Sequence, residues 1–420
     1  MDVSNTMVWR TSEGRLRIIV LGFLVREPTG GLAWAYLNYL CGLMELGHDV
    51  YYLEDSSDRP SCYGADLSGP STDPGYGLSF TARVLRNVGL GDRWAYYNAH
   101  TNTWQGPRKD DALMLCQTAE LVLNVSGYNP IRDWLKSVPA RAIIDIDPGF
   151  TQIRNLTNAA FRRHCADHTV FFSIAKNIGK PSCLIPDDGF PWQPIHQPVA
   201  LSAWPHVPAT RNGRYTTVMT WESSARPLEY GNLRLEMKKS VSFAPLIDLP
   251  SRVGSIFELA IRAQSESTLS MLRGANWGFA NINAVSCDPW TYQEFIQQSR
   301  AELGITTAGY LTTRCGWFSE RSIGYLASGR PVLQQDTGFP DWLPCGAGVF
   351  AFRSAEEAIQ AIAHIESDYD AHCRAARELA EEYFAAPRVL NPLIEAAMSS
   401  VNAHELSSTG AEIRSASATG

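Results

Sequence analysis

Residues 315–339 set side chains fit for holding an anion around the start of a short helix. Ser319 is a good N-cap, Arg321 and Ser322 follow in the first turn, and Ile323, Leu326 and Ala327 share one face. Gly329 stops the helix, and Pro331-Val332-Leu333 opens a buried strand that runs out in the polar turn Gln335-Asp336-Thr337-Gly338. The first turn of a helix offers free N–H groups at the positive end of its dipole. A guanidinium and a hydroxyl beside them suit phosphate oxygens.

Carboxylates occur where strands end. Asp145-Ile146-Asp147 closes one strand pattern, and alternation predicts that both side chains share a face, with Asp147 nearer the loop edge. An Asp-x-Asp pair can bind a hard divalent cation. Here it lies far from the phosphate-type segment, so no metal is expected. Asp147 can act as a proton acceptor or cap the Pro148-Gly149 turn. Glu54-Asp55 reads as a solvated strand end. The segment His164-Cys165-Ala166-Asp167-His168 lacks a second, separated ligand pair and reads as incidental.

The elements that would position these groups alternate. A strand within 16–25, the turn Arg26-Glu27-Pro28-Thr29-Gly30-Gly31, a helix over 32–46 and a strand over 49–53 make a β-α-β unit. Residues 56–77 read as a long polar loop, and the Tyr- and Trp-containing stretch through Trp104 as core or a stacking surface. Further strands are expected at 121–125, 142–146 and 169–173. A proline-dense connection spans 183–208. Beyond it a strand at 216–220 leads into a turn with Trp221 facing a cleft, and further strands fall at 257–261 and 349–352. An amphipathic helix is predicted over 290–303, followed by a strand at 304–307.

At 420 residues the chain exceeds a single core. Two doubly wound α/β domains are expected, 1–200 and 201–385, with a terminal helix over 386–403 crossing back onto the first and a disordered tail over 404–420. With 45% hydrophobic and 19% charged residues the composition is that of a globular protein, and a net charge of -7 argues against general affinity for nucleic acid or acidic membranes. Nine cysteines without a CxxC pattern suggest reduced thiols, and neither a signal peptide nor a membrane span is legible, so a cytoplasmic location is expected.

The run Cys-Gly-Trp-Phe-Ser-Glu-Arg-Ser through Ser-Gly-Arg-Pro-Val to Asp-Thr-Gly-Phe resembles the donor-binding half of GT-B glycosyltransferases, in which a nucleoside-diphosphate sugar lies across a cleft between two Rossmann-like domains. The resemblance implies a glycosyltransferase acting on a hydroxyl or similar nucleophile of a small-molecule or glycan acceptor, with no cofactor beyond the nucleotide sugar and no metal. Donor contacts would come from Gly30, Gly31, Trp221, Lys238, Ser319, Arg321, Ser322, Asp336, Thr337 and Gly338, with Asp336 and Thr337 on sugar hydroxyls. A base from the first domain would be Asp147 or Glu27. Many retaining relatives carry two glutamates eight positions apart where this chain has Gly316 and Gly324. Two other readings stay open: a sugar-nucleotide 2-epimerase of the same fold, and a catalytically silent homologue.

Overall fold

The structure, a computed structural model, describes residues 14–64, 69–208, 212–222, 226–262 and 265–417, with side chains as far as Val401. The first sheet holds β1 (Arg17–Leu21), β2 (Asp49–Asp55), β3 (Trp94–Asn98), β4 (Thr103–Gln105), β5 (Leu121–Val125), β6 (Ala140–Asp145), β7 (Val170–Ser173) and β8 (Gln193–Pro194). Their order is β4-β3-β2-β1-β5-β6-β7-β8, parallel except for β3 with β4. The runs RIIVL and LVLNV in β1 and β5 are apolar on both faces because helices cover both sides of the sheet.

The second half contributes β9 (Tyr215–Thr220), a small hairpin of β10 (Leu228–Tyr230) and β11 (Leu233–Leu235), then β12 (Phe257–Arg262), β13 (Gly278–Phe279), β14 (Ala301–Gly304), β15 (Val332–Gln335) and β16 (Val349–Phe352). The six-stranded sheet runs β13-β12-β9-β14-β15-β16 and is parallel throughout. Each sheet reverses its winding beside its first strand, β1 against β5 and β9 against β14, and such switch points open crevices at the carboxyl ends of strands. This is the GT-B architecture.

One expectation is corrected. The helix predicted over 290–303 ends earlier, at Pro289–Gln298, and Ala301–Gly304 is strand β14. Glu302, on that strand, is wholly buried and ion-paired. The aromatic stretch through Trp104 supplies β3 and β4 at the sheet edge. The terminal helix, Ala386–Ser417, carries its backbone through most of the expected tail, with Pro392 inside it.

The chain crosses between the sheets twice, and the crossings pair with each other. Val199 donates its N–H to the Phe384 carbonyl (2.7 Å), and Ala386 donates to Val199 (2.9 Å). The terminal helix then packs on the helix Gly30–Glu45 of the first domain, where a Cβ on Gly42 would lie 2.5 Å from the Ala386 Cβ and 2.8 Å from Leu390. Gly42→Val should therefore cost about 1–3 kcal/mol through overpacking, read from the urea midpoint. Gly274→Ala, with nothing within 4 Å of its new methyl, should be neutral or stabilising.

Candidate functional site

At the carboxyl edge of the first sheet, Glu54 organises the turn after β1. It is buried rather than solvated, accepts N–H donors from Val25 and Arg26 at 2.8 Å each, and is bonded by the Tyr52 hydroxyl. Burial pushes its pKa up to about 7, held back by those donors. Asp55, also buried, pairs with Arg132 (2.9 Å). The turn so fixed presents Glu27.

Glu27 is half-buried, and no hydrogen bond among the described residues engages its carboxylate. Burial raises its pKa above the ordinary value; Arg262 of the second domain, acting across the seam, and Arg26 hold the rise back. Together with Asp147 it lines a cavity of about 390 Å³ walled by Phe23, Leu32, Tyr36, Tyr128 and Ile146.

The two aspartates of the Asp-x-Asp segment part company. Strand β6 ends at Asp145, so alternation stops there and the expected shared face is not formed. Asp145 turns inward to Thr151, Gln152 and Ser173 and accepts the Asp147 N–H, capping the turn itself; burial lifts its pKa to about 6. Asp147 accepts hydroxyl hydrogen bonds from Tyr310 of the second domain (2.9 Å) and Tyr128 (3.2 Å). His164 and His168 bond separate partners, the Gly127 carbonyl and Asn124.

The organising helix, Glu320–Ala327, is capped by Ser319 Oγ on the Arg321 N–H (3.2 Å) and ends with Gly329 at φ 72°. The expectation that its first turn faces a phosphate is corrected. Seven of its eight residues, from Arg321 to Ala327, are buried, so its polar groups must find partners inside. Arg321 gives Nε to Glu302 (2.6 Å) and Nη1 to the Val218 carbonyl (2.7 Å), and Ser322 bonds Gln334 (3.2 Å). Thr337 bonds the Trp317 carbonyl with its hydroxyl. Asp336 accepts the Gly338 N–H and pairs with Arg353, so neither side chain is turned to a sugar hydroxyl.

The remaining predicted donor contacts are dispersed. Gly30 and Gly31 do allow a close approach, but by protein: Cβ atoms there would lie 2.4 Å from the Asp288 carbonyl and 3.0 Å from the Tyr292 ring. Gly338, at φ 91°, closes on the Arg314 carbonyl. Trp221 is core, stacked at 4.9 Å on Phe243, rather than facing the cleft; Ser223 and Ser224 after it lie outside the described residues. Lys238 is solvent-accessible, 3.5 Å from Glu222. Gly316 (φ 76°) packs against Asn177, and Gly324 against Trp204 (3.0 Å), so neither position has room for a glutamate.

Two cations were missed in the sequence. Arg262 ends β12 at the carboxyl edge, and among the described residues its side chain makes no hydrogen bond or ion pair. Its place at the end of FELAIR was the available signal. Lys239 opens the helix Lys239–Phe243 beside Arg321; burial and that guanidinium lower its pKa to about 7.

No family model and no curated protein sequence matches the chain. Solved structures do. An alpha-glucosyltransferase in complex with UDP and a 13-mer DNA with a central A:G mismatch is 10% identical, covering 91% of this chain and 99% of its own, with a TM-score of 0.55. HepE of Anabaena, in complex with UDP and glucose, is 10% identical over 92% and 100%, TM-score 0.53. A glycosyltransferase from Rickettsia africae is 11% identical over 92% and 99%, TM-score 0.51.

Arg321→Ala should destabilise the protein by about 3–5 kcal/mol by stranding Glu302, whereas Arg321→Met with Glu302→Leu should recover most of the loss; chemical denaturation checks both. Lys239 supplies a pH test. Its folded pKa lies below its unfolded one, so between about 7 and 10.5 the unfolded chain holds more protons and stability rises with pH. Lys239→Met should stabilise most below about pH 7 and lose its advantage towards pH 10.5, as melting curves across that range would show. In its whole course, two parallel sheets with their carboxyl edges at a shared seam, the chain has the fold of these glycosyltransferases.

Proposed function

We propose that the protein transfers a sugar from a nucleoside-diphosphate donor, seated at the carboxyl edge of the second sheet, to an acceptor hydroxyl in the cavity of the first. The observation that carries this reading is Glu27: a carboxylate of raised basicity with no hydrogen bond among the described residues, in a cavity large enough for a second substrate, with a cation of the opposite domain beside it. The fold's neighbours bound to UDP support the donor class. A 2-epimerase needs no acceptor, and the cavity favours transfer over that alternative.

In the proposed step Glu27 takes the acceptor's proton as the oxygen attacks the anomeric carbon. The bond to the diphosphate breaks, and its electron pair leaves with the nucleotide. Arg262 and Lys239, with Lys238 at the rim, meet the charge growing on the leaving group, and such preorganised cations are a large part of rate enhancement. A lysine poised near neutrality is recharged by an arriving diphosphate. No cofactor is called on.

Asp147 is the weaker candidate for base, because both its oxygens already accept phenolic protons. Glu27→Gln should lower kcat by about 10²–10⁴-fold with an unchanged melting temperature, and Asp147→Asn should lower it less. Nucleoside-diphosphate release from a panel of nucleotide sugars and hydroxylated acceptors is the assay. Because Glu27 must be ionised, activity should fall as pH drops through a value above the ordinary 4.5. Wild-type turnover in the Gln variant, or no diphosphate release from any pairing, would sink the reading.

A further inference from the structure

Strand β2 ends in two side chains that reach back under the turn carrying Glu27. Leu24 donates its N–H to the Tyr52 hydroxyl (2.8 Å), Val25 to Glu54 Oε2 (2.8 Å) and Arg26 to Glu54 Oε1 (2.8 Å), so three successive backbone amides are held from one strand. The Tyr52 hydroxyl donates in turn to Glu54 Oε2. Glu27 donates its own N–H to the Phe23 carbonyl (3.2 Å), which closes the turn on the residue it presents. Leu24, Val25, Tyr52 and Glu54 are all buried, so these amides depend on protein acceptors.

The surroundings confine the turn on both sides. Gly22 lets the Tyr52 ring lie across the end of β1, since a Cβ there would overlap the ring edge, and Asn129 donates to the Gly22 carbonyl (2.8 Å). The helix Gly75–Asn87 presses from the other side, where a Cβ on Gly77 would overlap the Val25 carbonyl.

Every hydrogen-bond partner of Glu54 among the described residues is a donor, two of them on Oε2 and one on Oε1. A glutamine there would turn its NH2 on the Val25 amide or on the Arg26 amide, whichever way the group lies, and two donors that face each other cannot bond. A buried N–H left without its acceptor is costly, and the turn relieves that cost by moving. We infer that Glu54 is a positioning residue for the proposed base: its two oxygens, braced by Tyr52, set where the Glu27 carboxylate stands, and a neutral isostere displaces it. The inference rests on the transferase reading for what Glu27 does, while the placement it asserts is measurable without turnover.

The test is Glu54→Gln in the full chain, with two readouts. The first is carboxyl NMR of protein labelled in its glutamate side chains, the Glu27 signal being assigned by its loss in Glu27→Gln. Wild-type Glu27 should titrate above the ordinary 4.5, because burial outweighs Arg262 and Arg26, and in Glu54→Gln its midpoint should move back towards that value. The second is turnover: Glu54→Gln should lower kcat about tenfold to a hundredfold, as expected for a reacting group moved by up to about an ångström, with KM for the nucleotide sugar unchanged. In the Glu27→Gln background the same substitution should lower kcat no further, since residues acting as one unit are not additive. Tyr52→Phe removes the brace and keeps the charge; it should move both readouts the same way by less, and replaces Glu54→Gln if melting curves show that variant unfolded. A Glu27 midpoint unmoved in the folded variants, or a loss of kcat that repeats in full in the Glu27→Gln background, would overturn the inference. A midpoint that moves as expected in a protein that releases no nucleoside diphosphate would overturn the transferase reading alone.

Discussion

The ion pair between Arg321 and Glu302 holds the second domain in the shape that everything else uses. Glu302 is fully buried on β14, and Arg321 reaches it from the organising helix while also bonding the β9 carbonyl of Val218. Taking two charges out of water is costly unless their attraction and added hydrogen bonds repay it. Glu302 Oε2 and Arg321 Nη2 have no partner among the described residues, so the repayment there is incomplete. What the pair supplies is position: it fastens the helix across two strands, with Tyr325 bonding Thr216 on the same strand and Ser322 bonding Gln334 on β15.

That fastening reaches the seam between the domains. The helix Pro289–Gln298 packs beside the clamped helix and receives the first domain, with Trp34 donating to the Pro289 carbonyl (2.7 Å) and Gly30 and Gly31 lying on Asp288 and Tyr292. On the other side Asn177 bonds the carbonyls of Arg314 and Gly338, and Leu184 donates to Thr313. Glycine is required wherever these backbones meet, since a Cβ at Gly30 or Gly338 would fall inside van der Waals contact. The carboxyl edges of both sheets are thereby held facing each other, and this lets Arg262 act on Glu27.

Much of the architecture was legible because its signals are local. Ser319, Gly329 and the apolar run after Pro331 set the helix and strand where the sequence puts them. The β-α-β opening follows from apolar strands around the apolar helix Gly30–Glu45. The site was less legible, for one reason: a polar residue on a buried helix looks the same in sequence as one facing a ligand. Arg321, Ser322, Asp336 and Thr337 have the types and spacing of a phosphate and sugar site, and their partners come from residues up to about a hundred positions away. Arg262 and Lys239 had no motif to announce them. Their claim comes from lying where strand or helix ends meet the seam, with no side-chain partner among the described residues.

The two carboxylates of the cavity show why sequence position cannot choose a base. Both follow strands of the same sheet and both line the same space. A carboxylate with a phenol on each oxygen is held in one orientation, with part of its acceptor capacity in use. Asp147 is in that state, and one of its donors, Tyr310, belongs to the opposite domain, which makes it a tether across the seam. Glu27 is buried with no hydrogen bond among the described residues, and burial penalises the charged form. The neighbouring arginines, Arg262 first and then Arg26, oppose that penalty. A base needs burial opposed by nearby positive charge and a carboxylate oxygen open to an incoming hydroxyl, which is why the proposed step is written on Glu27.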